Sequence, residues 1–263
     1  MNLKRRTVIF AFLLALILAV MTGCTASGGN AVDEPAQANS TSDTATESSV
    51  IVFNDGVLEQ LVRSALEKPD GDILVSDALS LTELDLQMNN LDESRQMIHR
   101  LDALQYFTNL TYLGLGYAVE NESNPDAPVD ISALGSLTKL ESLQLGDIVI
   151  DDVSALSGLT SLKSLSVWGG GRLCDLTPLA GLASLQALTL HDNSITDVSP
   201  LTGLTGLTYL DLANNQIADI SPLTGLAGLT TLYLEGNPVA DYAPLAEIRA
   251  NLEWWDFDIP AIP

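Results

Sequence analysis

Two histidines, two cysteines and a series of aspartates are the side chains in this chain best suited to chemistry. His99 and His191 could act as general bases or metal ligands. They lie in distant segments, and no His/Cys cluster has metal-ligand spacing. Serine, histidine and aspartate all occur, but no nucleophile elbow organises them. Gly169-Gly170-Gly171 lacks the following lysine and the strand-to-helix setting of a phosphate loop. Asp152, Asp175, Asp197, Asp219 and Asp241 recur at near-constant spacing, and carboxylate oxygens suit calcium. Each aspartate, however, precedes a turn whose backbone N–H groups it can cap, which takes its oxygens out of a ligand set. No loop has the glycine-and-aspartate spacing of a calcium motif. The residues therefore assign no catalytic group, no metal and no cofactor, and an enzyme is the least favoured reading.

The elements that would position any site are set by a returning phrase. Leu185, Leu207 and Leu229 stand 22 residues apart and open LQALTLHDNSITDVSPLTGL, LTYLDLANNQIADISPLTGL and a shorter variant after Thr231. A period this short means stacked supersecondary units. In Leu210-Asp211-Leu212 leucines alternate with a polar residue, which predicts a short strand with one buried face. Successive units place these strands side by side in a parallel sheet. Asn215 falls at the turn after the strand, where its amide can bond its own turn and the neighbouring one. Ser221-Pro222-Leu223 starts a tight helical turn on the opposite side, with proline fixing φ early and Asp219 capping it. No unit can bury its leucines alone, so each depends on its neighbours.

The pattern L-x-x-L-x-L-x-x-N-x-I/L, closing in x-D-I/V-S-P-L-x-x-L, resembles the leucine-rich repeat of the internalin group of bacterial surface proteins. The resemblance covers roughly residues 52 to 258. It implies an α/β repeat solenoid: a leucine-rich-repeat horseshoe with a parallel concave sheet, a convex side of short 3-10 or helical turns, and an N-terminal helical cap. Seven repeats start at Leu81, Leu110, Leu140, Leu162, Leu185, Leu207 and Leu229, within residues 81–251. The turn asparagine is present as Asn90, Asn193, Asn215 and Asn237; Ala118, Ile148 and Gly170 replace it in the second to fourth repeats. Residues 51–80 read as the N-terminal cap, with a helix begun by Asn54-Asp55, stopped by Lys68-Pro69-Asp70-Gly71 and followed by a short strand at Ile73-Leu74-Val75. Residues 252–263 read as the C-terminal cap, in which Trp254, Trp255 and Phe257 supply apolar cover.

The front of the chain reads as an address. Lys4-Arg5-Arg6, the apolar run from Thr7 to Val20 and Met21-Thr22-Gly23-Cys24 form a secretory signal over residues 1–23. The cysteine after the cut resembles the bacterial lipobox, which implies lipidation of Cys24 (palmitate among the acyl chains) and an extracytoplasmic, lipid-anchored domain at the cell membrane or envelope. Residues 24–50 are a polar tether with too little apolar surface to fold. With Cys24 acylated, Cys174 is expected to stand unpaired. Removing the signal leaves 8 basic against 34 acidic residues, a net charge of −26. That excludes nucleic acid and electrostatic adsorption to an anionic bilayer, leaving the lipid as the only membrane contact.

What remains for function is surface. Residues beside the buried strand leucines face the concave side. Among them Tyr112, Gln144, Ser166, Trp168, His191, Tyr209, Asp211, Tyr233 and Glu235 are the candidate partner-binding residues. Trp168 is expected to be exposed and central, since exposed tryptophan and tyrosine are favoured at binding hot spots. The segment from Tyr117 to Val129 is expected at the rim, and Asp92 to Ile98 is a further insertion at the same edge. The expected partner is a protein at or near the cell surface, bound by a monomer; a wall or host glycan stacked on the aromatic rings is the alternative.

Overall fold

A computed structural model describes residues 46–87, 97–121, 124 and 126–257. The signal segment, Cys24, most of the tether, Asn90 and most of the Asp92–Ile98 insertion lie outside the described residues, as does the tail from 258.

Eight short parallel strands form one sheet in strict chain order: β1 (Glu83–Asp85), β2 (Tyr112–Gly114), β3 (Ser142–Gln144), β4 (Ser164–Ser166), β5 (Ala187–Thr189), β6 (Tyr209–Asp211), β7 (Thr231–Tyr233) and β8 (Trp254–Trp255). The middle residues are in register: Leu84, Leu113, Leu143, Leu165, Leu188, Leu210 and Leu232. All seven are buried, because the period of two sends every strand centre to the same side of the sheet. Short 3-10 turns, such as Ser199–Gly203 and Ser221–Gly225, return the chain on the far side and bury one leucine each, here Leu201 and Leu223.

The polar residues of the repeat act as the sequence led one to expect. Asn215 is buried; its Nδ2 donates to the carbonyls of Leu212 and Ala213 in its own repeat and of Leu190 in the one before. Its Oδ1 accepts the Ile195 N–H. Asn193 and Asn237 also bond across to the preceding repeat, at Val167 O and Leu212 O. In the irregular repeats Ala118 and Ile148 simply fill this place with buried apolar side chains. Asp152, Asp175, Asp197, Asp219 and Asp241 each accept a backbone N–H two residues on, at 2.7–2.8 Å, and Asp130 joins them. The caps hold the carboxyls of Asp130 and Asp219 below their ordinary range through the backbone N–H of Ser132 and Ser221. In Asp175 the Thr177 hydroxyl and then its N–H do the same.

The N-terminal cap departs from expectation in two places. Helix α1 (Gly56–Ala65) forms as expected, N-capped by Asp55 Oδ1 on the Leu58 N–H. The other oxygen, Oδ2, accepts the N–H of His99 at 2.7 Å and so ties α1 to the repeats. The expected strand at Ile73–Val75 is instead one antiparallel bridge, Val50 to Leu74, leading into α2 (Val75–Ser80). The tether also ends earlier than expected: Glu47 and Ser49 accept the N–H groups of Ser76 and Val75, and Ile51 is buried.

The C-terminal end is a second correction. Trp254 and Trp255 form β8 and are 63% and 44% exposed, so they do not cover the core. The cover comes from Leu252 and from Phe257, whose ring stacks on Tyr242 at 5.0 Å. Asp256 closes the strand ends, its Oδ1 accepting the N–H groups of Leu234 and Glu235. Cys174 is half-buried in the fourth repeat, and Cys24, the chain's other cysteine, lies outside the described residues.

Candidate functional site

The candidate residues stand on the open face of the sheet, where side chains between the buried leucines project. The structure gathers them into three groups. At β1–β3 the Gln87 amide bridges neighbours, Nε2 reaching Tyr112 Oη at 3.0 Å and Gln144 Oε1 at 2.8 Å. This polar bridge lies over Gly114, where a Cβ would meet Gln87 Nε2 at 2.6 Å and Tyr112 Oη at 2.9 Å. Burial, then the Asp85 carboxylate, pushes the Tyr112 hydroxyl up.

The second group is aromatic. Trp168 stacks on His191, with ring centroids 4.8 Å apart and planes 24° from parallel. Tyr117 meets the same indole edge-on at 5.7 Å. Trp168 is half-buried and not freely exposed. The cause is Gly146 on β3's continuation: a Cβ there would lie 2.5 Å from Trp168 Cε2, so only glycine lets the indole rest on the backbone. His191 Nδ1 lies 2.7 Å from Asp192 Oδ2, and Asn214 Nδ2 donates to Asp192 Oδ1, which fixes the imidazole.

The third group spans β6 and β7. Tyr209 and Tyr233 meet edge-to-face at 6.0 Å. Between them and His191 lies Asp211, half-buried, its Oδ1 accepting the Ala213 N–H. Burial pushes the Asp211 carboxyl up, and the Asp256 and Asp192 carboxylates add to this against the pull of the Ala213 N–H and His191. Burial and the Asp211 charge together push the Tyr209 hydroxyl up to about 12. Ser166 sits half-buried on β4 and Glu235 is exposed past β7. Tyr112 and Gln144 join each other through Gln87. No group of three or more His, Cys, Asp or Glu side chains able to hold a metal ion occurs among the described residues.

Tyr117 was missed as a contact residue, yet the sequence carries a signal for it. Seven residues after the opening leucines of the third to seventh repeats the backbone is left-handed, at Asp147, Gly169, Asp192, Asn214 and Gly236. Glycine, asparagine and aspartate tolerate that conformation. Tyr117 holds the same place at φ 61° and is 46% exposed. A bulky residue at positive φ costs on the order of 1–2 kcal/mol. Tyr117→Gly is therefore expected to raise stability by about 1 kcal/mol while removing the edge contact to Trp168. Thermal melts of the two proteins measure it, and a drop in stability would mean that the ring contact outweighs the backbone strain.

Fold and repeat together define a leucine-rich-repeat solenoid. The family model for leucine-rich repeats, two copies, matches residues 183–225 and 205–247. Among solved structures the chain is similar to internalin C2 of Listeria monocytogenes, with 27% identity and a TM-score of 0.57 over 78% of this chain and 94% of that one. Internalin F of the same bacterium aligns at 23% identity and a TM-score of 0.28, over 79% and 96% of the two chains. A leucine-rich-repeat protein of Leptospira interrogans aligns at 22% and 0.42, over 59% and 45%. The shared fold rests on the first of these. No curated protein matches the sequence.

Proposed function

We propose that this chain is an extracytoplasmic, lipid-anchored module whose open sheet face binds a protein at or near the cell surface. The observation that carries the reading is the aromatic ridge of Tyr117, Trp168 and His191, built on a glycine and held partly clear of the core. Large rings fixed by neighbours bind with little further loss of freedom. Likeness to an internalin, a leucine-rich-repeat protein, supports protein binding over catalysis. Affinity capture with residues 46–263, which keep the Glu47 and Ser49 bonds to the cap, supplies the partner. Trp168→Ala is then expected to weaken binding more than tenfold, about 1.4 kcal/mol or more, while Thr224→Ala on the convex side leaves it unchanged. Loss in the convex variant alone would move the site to the other face. A glycan array that lights up where protein capture stays blank would replace the protein partner by a sugar.

The anchor is read from the signal-like segment and Cys24; among the described residues no helix is long and apolar enough to cross a membrane. Cys24→Ser is expected to abolish incorporation of a fatty-acid probe. The chain has only two cysteines, and a lipidated Cys24 has no thiol to share with Cys174. Intact mass of the mature protein separates the outcomes. An added acyl mass on Cys24 supports the anchor, and a Cys24–Cys174 disulfide on an unacylated chain rules it out.

A further inference from the structure

The open face is chemically lopsided. Its strand positions carry the carboxylates of Glu83, Asp85 and Asp211, with Glu235 just past β7, and neither lysine nor arginine stands at any strand position. The basic side chains near the sheet lie at its rim, where Lys163 pairs with Glu141 at 2.7 Å and Lys139 with Asn109 at 2.6 Å. Over β5–β7 the acids gather: Asp256, bonded to the Leu234 and Glu235 N–H groups, and Asp192 both act on Asp211, which stands beside Tyr209 and its edge-on neighbour Tyr233, with His191 the base facing the same carboxylate. Asp211 is half-buried there with like charges for neighbours, an arrangement that costs energy until a cation arrives. Aromatic faces next to carboxylates attract guanidinium and ammonium groups on two counts, the ring quadrupole and the charge.

From this charge complementarity we infer that the open face over β5–β7 takes a basic protein segment, one arginine or lysine side chain seating at Asp211 beside Tyr209 and Tyr233. The inference rests on the open face being the binding face, and it names the chemistry of the partner there. A basic guest neutralises Asp211 and relieves its repulsion from Asp192 and Asp256. The chain's large negative charge steers such a segment toward it but does not choose the face. The local crowding of acid and tyrosine does.

The test uses the mature domain and a twelve-residue peptide of alternating arginine and glycine, with an alternating glutamate–glycine peptide as its opposite. Titration calorimetry at about 0.15 M salt compares three proteins: wild type, Asp211→Asn with Glu235→Gln, and Asp70→Asn with Glu247→Gln. The last pair removes the same charge from exposed positions away from the sheet face. The arginine peptide is expected to bind wild type, to lose at least tenfold in affinity with the open-face pair and less than twofold with the distant pair. The glutamate peptide is expected not to bind. Equal losses in the two pairs would reduce the effect to net charge and overturn the inference, as would no binding of the arginine peptide. A captured partner that needs Trp168 but ignores the Asp211/Glu235 pair would sink this inference and leave the binding face standing. A partner indifferent to both would remove the face itself.

Discussion

Leu210→Asp is expected to abolish the cooperative thermal transition. Leu210 is fully buried at the centre of β6, in register with Leu188 and Leu232 on either side. The substitution forfeits roughly 2–3 kcal/mol of apolar burial. It also places a carboxylate among leucines with no partner, a further cost of several kcal/mol. Together these rival the whole stability of about 5–15 kcal/mol expected for a domain. The informative comparison is deletion of residues 207–228, one whole repeat. β5 then meets β7, whose leucine stands in the same register, so the shortened solenoid is expected to fold with a lower melting temperature. Circular dichroism melts of both proteins decide. A native-like Leu210→Asp protein beside an unfolded deletion would contradict stabilisation by nearest neighbours.

Asn215→Ala is expected to lower the melting temperature by roughly 10 °C. The amide serves the carbonyls of Leu190, Leu212 and Ala213 and the N–H of Ile195, and it spans two repeats. Alanine orphans the Ile195 N–H, at about 1–3 kcal/mol, and forfeits three bonds worth about 1 kcal/mol each to carbonyls that keep a second donor in Asn193 Nδ2, Asn237 Nδ2 and the Asp192 N–H. A total near 4–6 kcal/mol at about 2–4 °C per kcal/mol gives the stated shift or more. Thr224→Ala, which removes one exposed hydroxyl bond to Ser221 O, should stay within about 0.5 kcal/mol. Equal effects from the two substitutions would show that the asparagine series is incidental to the stack.

The repeat made most of the fold legible. A 22-residue period, alternating leucines, one turn asparagine and one aspartate before each Ser-Pro step specify a parallel sheet, its buried face, its cross-repeat bonds and its capped turns. Each of these is a contact between neighbours that recurs, so a period can encode it. What the period could not express was decided by single departures from it. The indole of Trp168 rests where β3's continuation carries Gly146, and Tyr117 reaches it from a left-handed position that other repeats give to small or turn-forming residues. Gln87 joins Tyr112 to Gln144 across β1–β3, a contact that belongs to one place in the stack. At the end of the stack, Trp254 and Trp255 take strand positions with no later repeat among the described residues to bury them, while Phe257 folds onto Tyr242. Sequence alone determined the scaffold, because its contacts repeat. Only the tertiary structure decided which side chains meet on the open face, because those contacts depend on shape and backbone conformation at one position at a time.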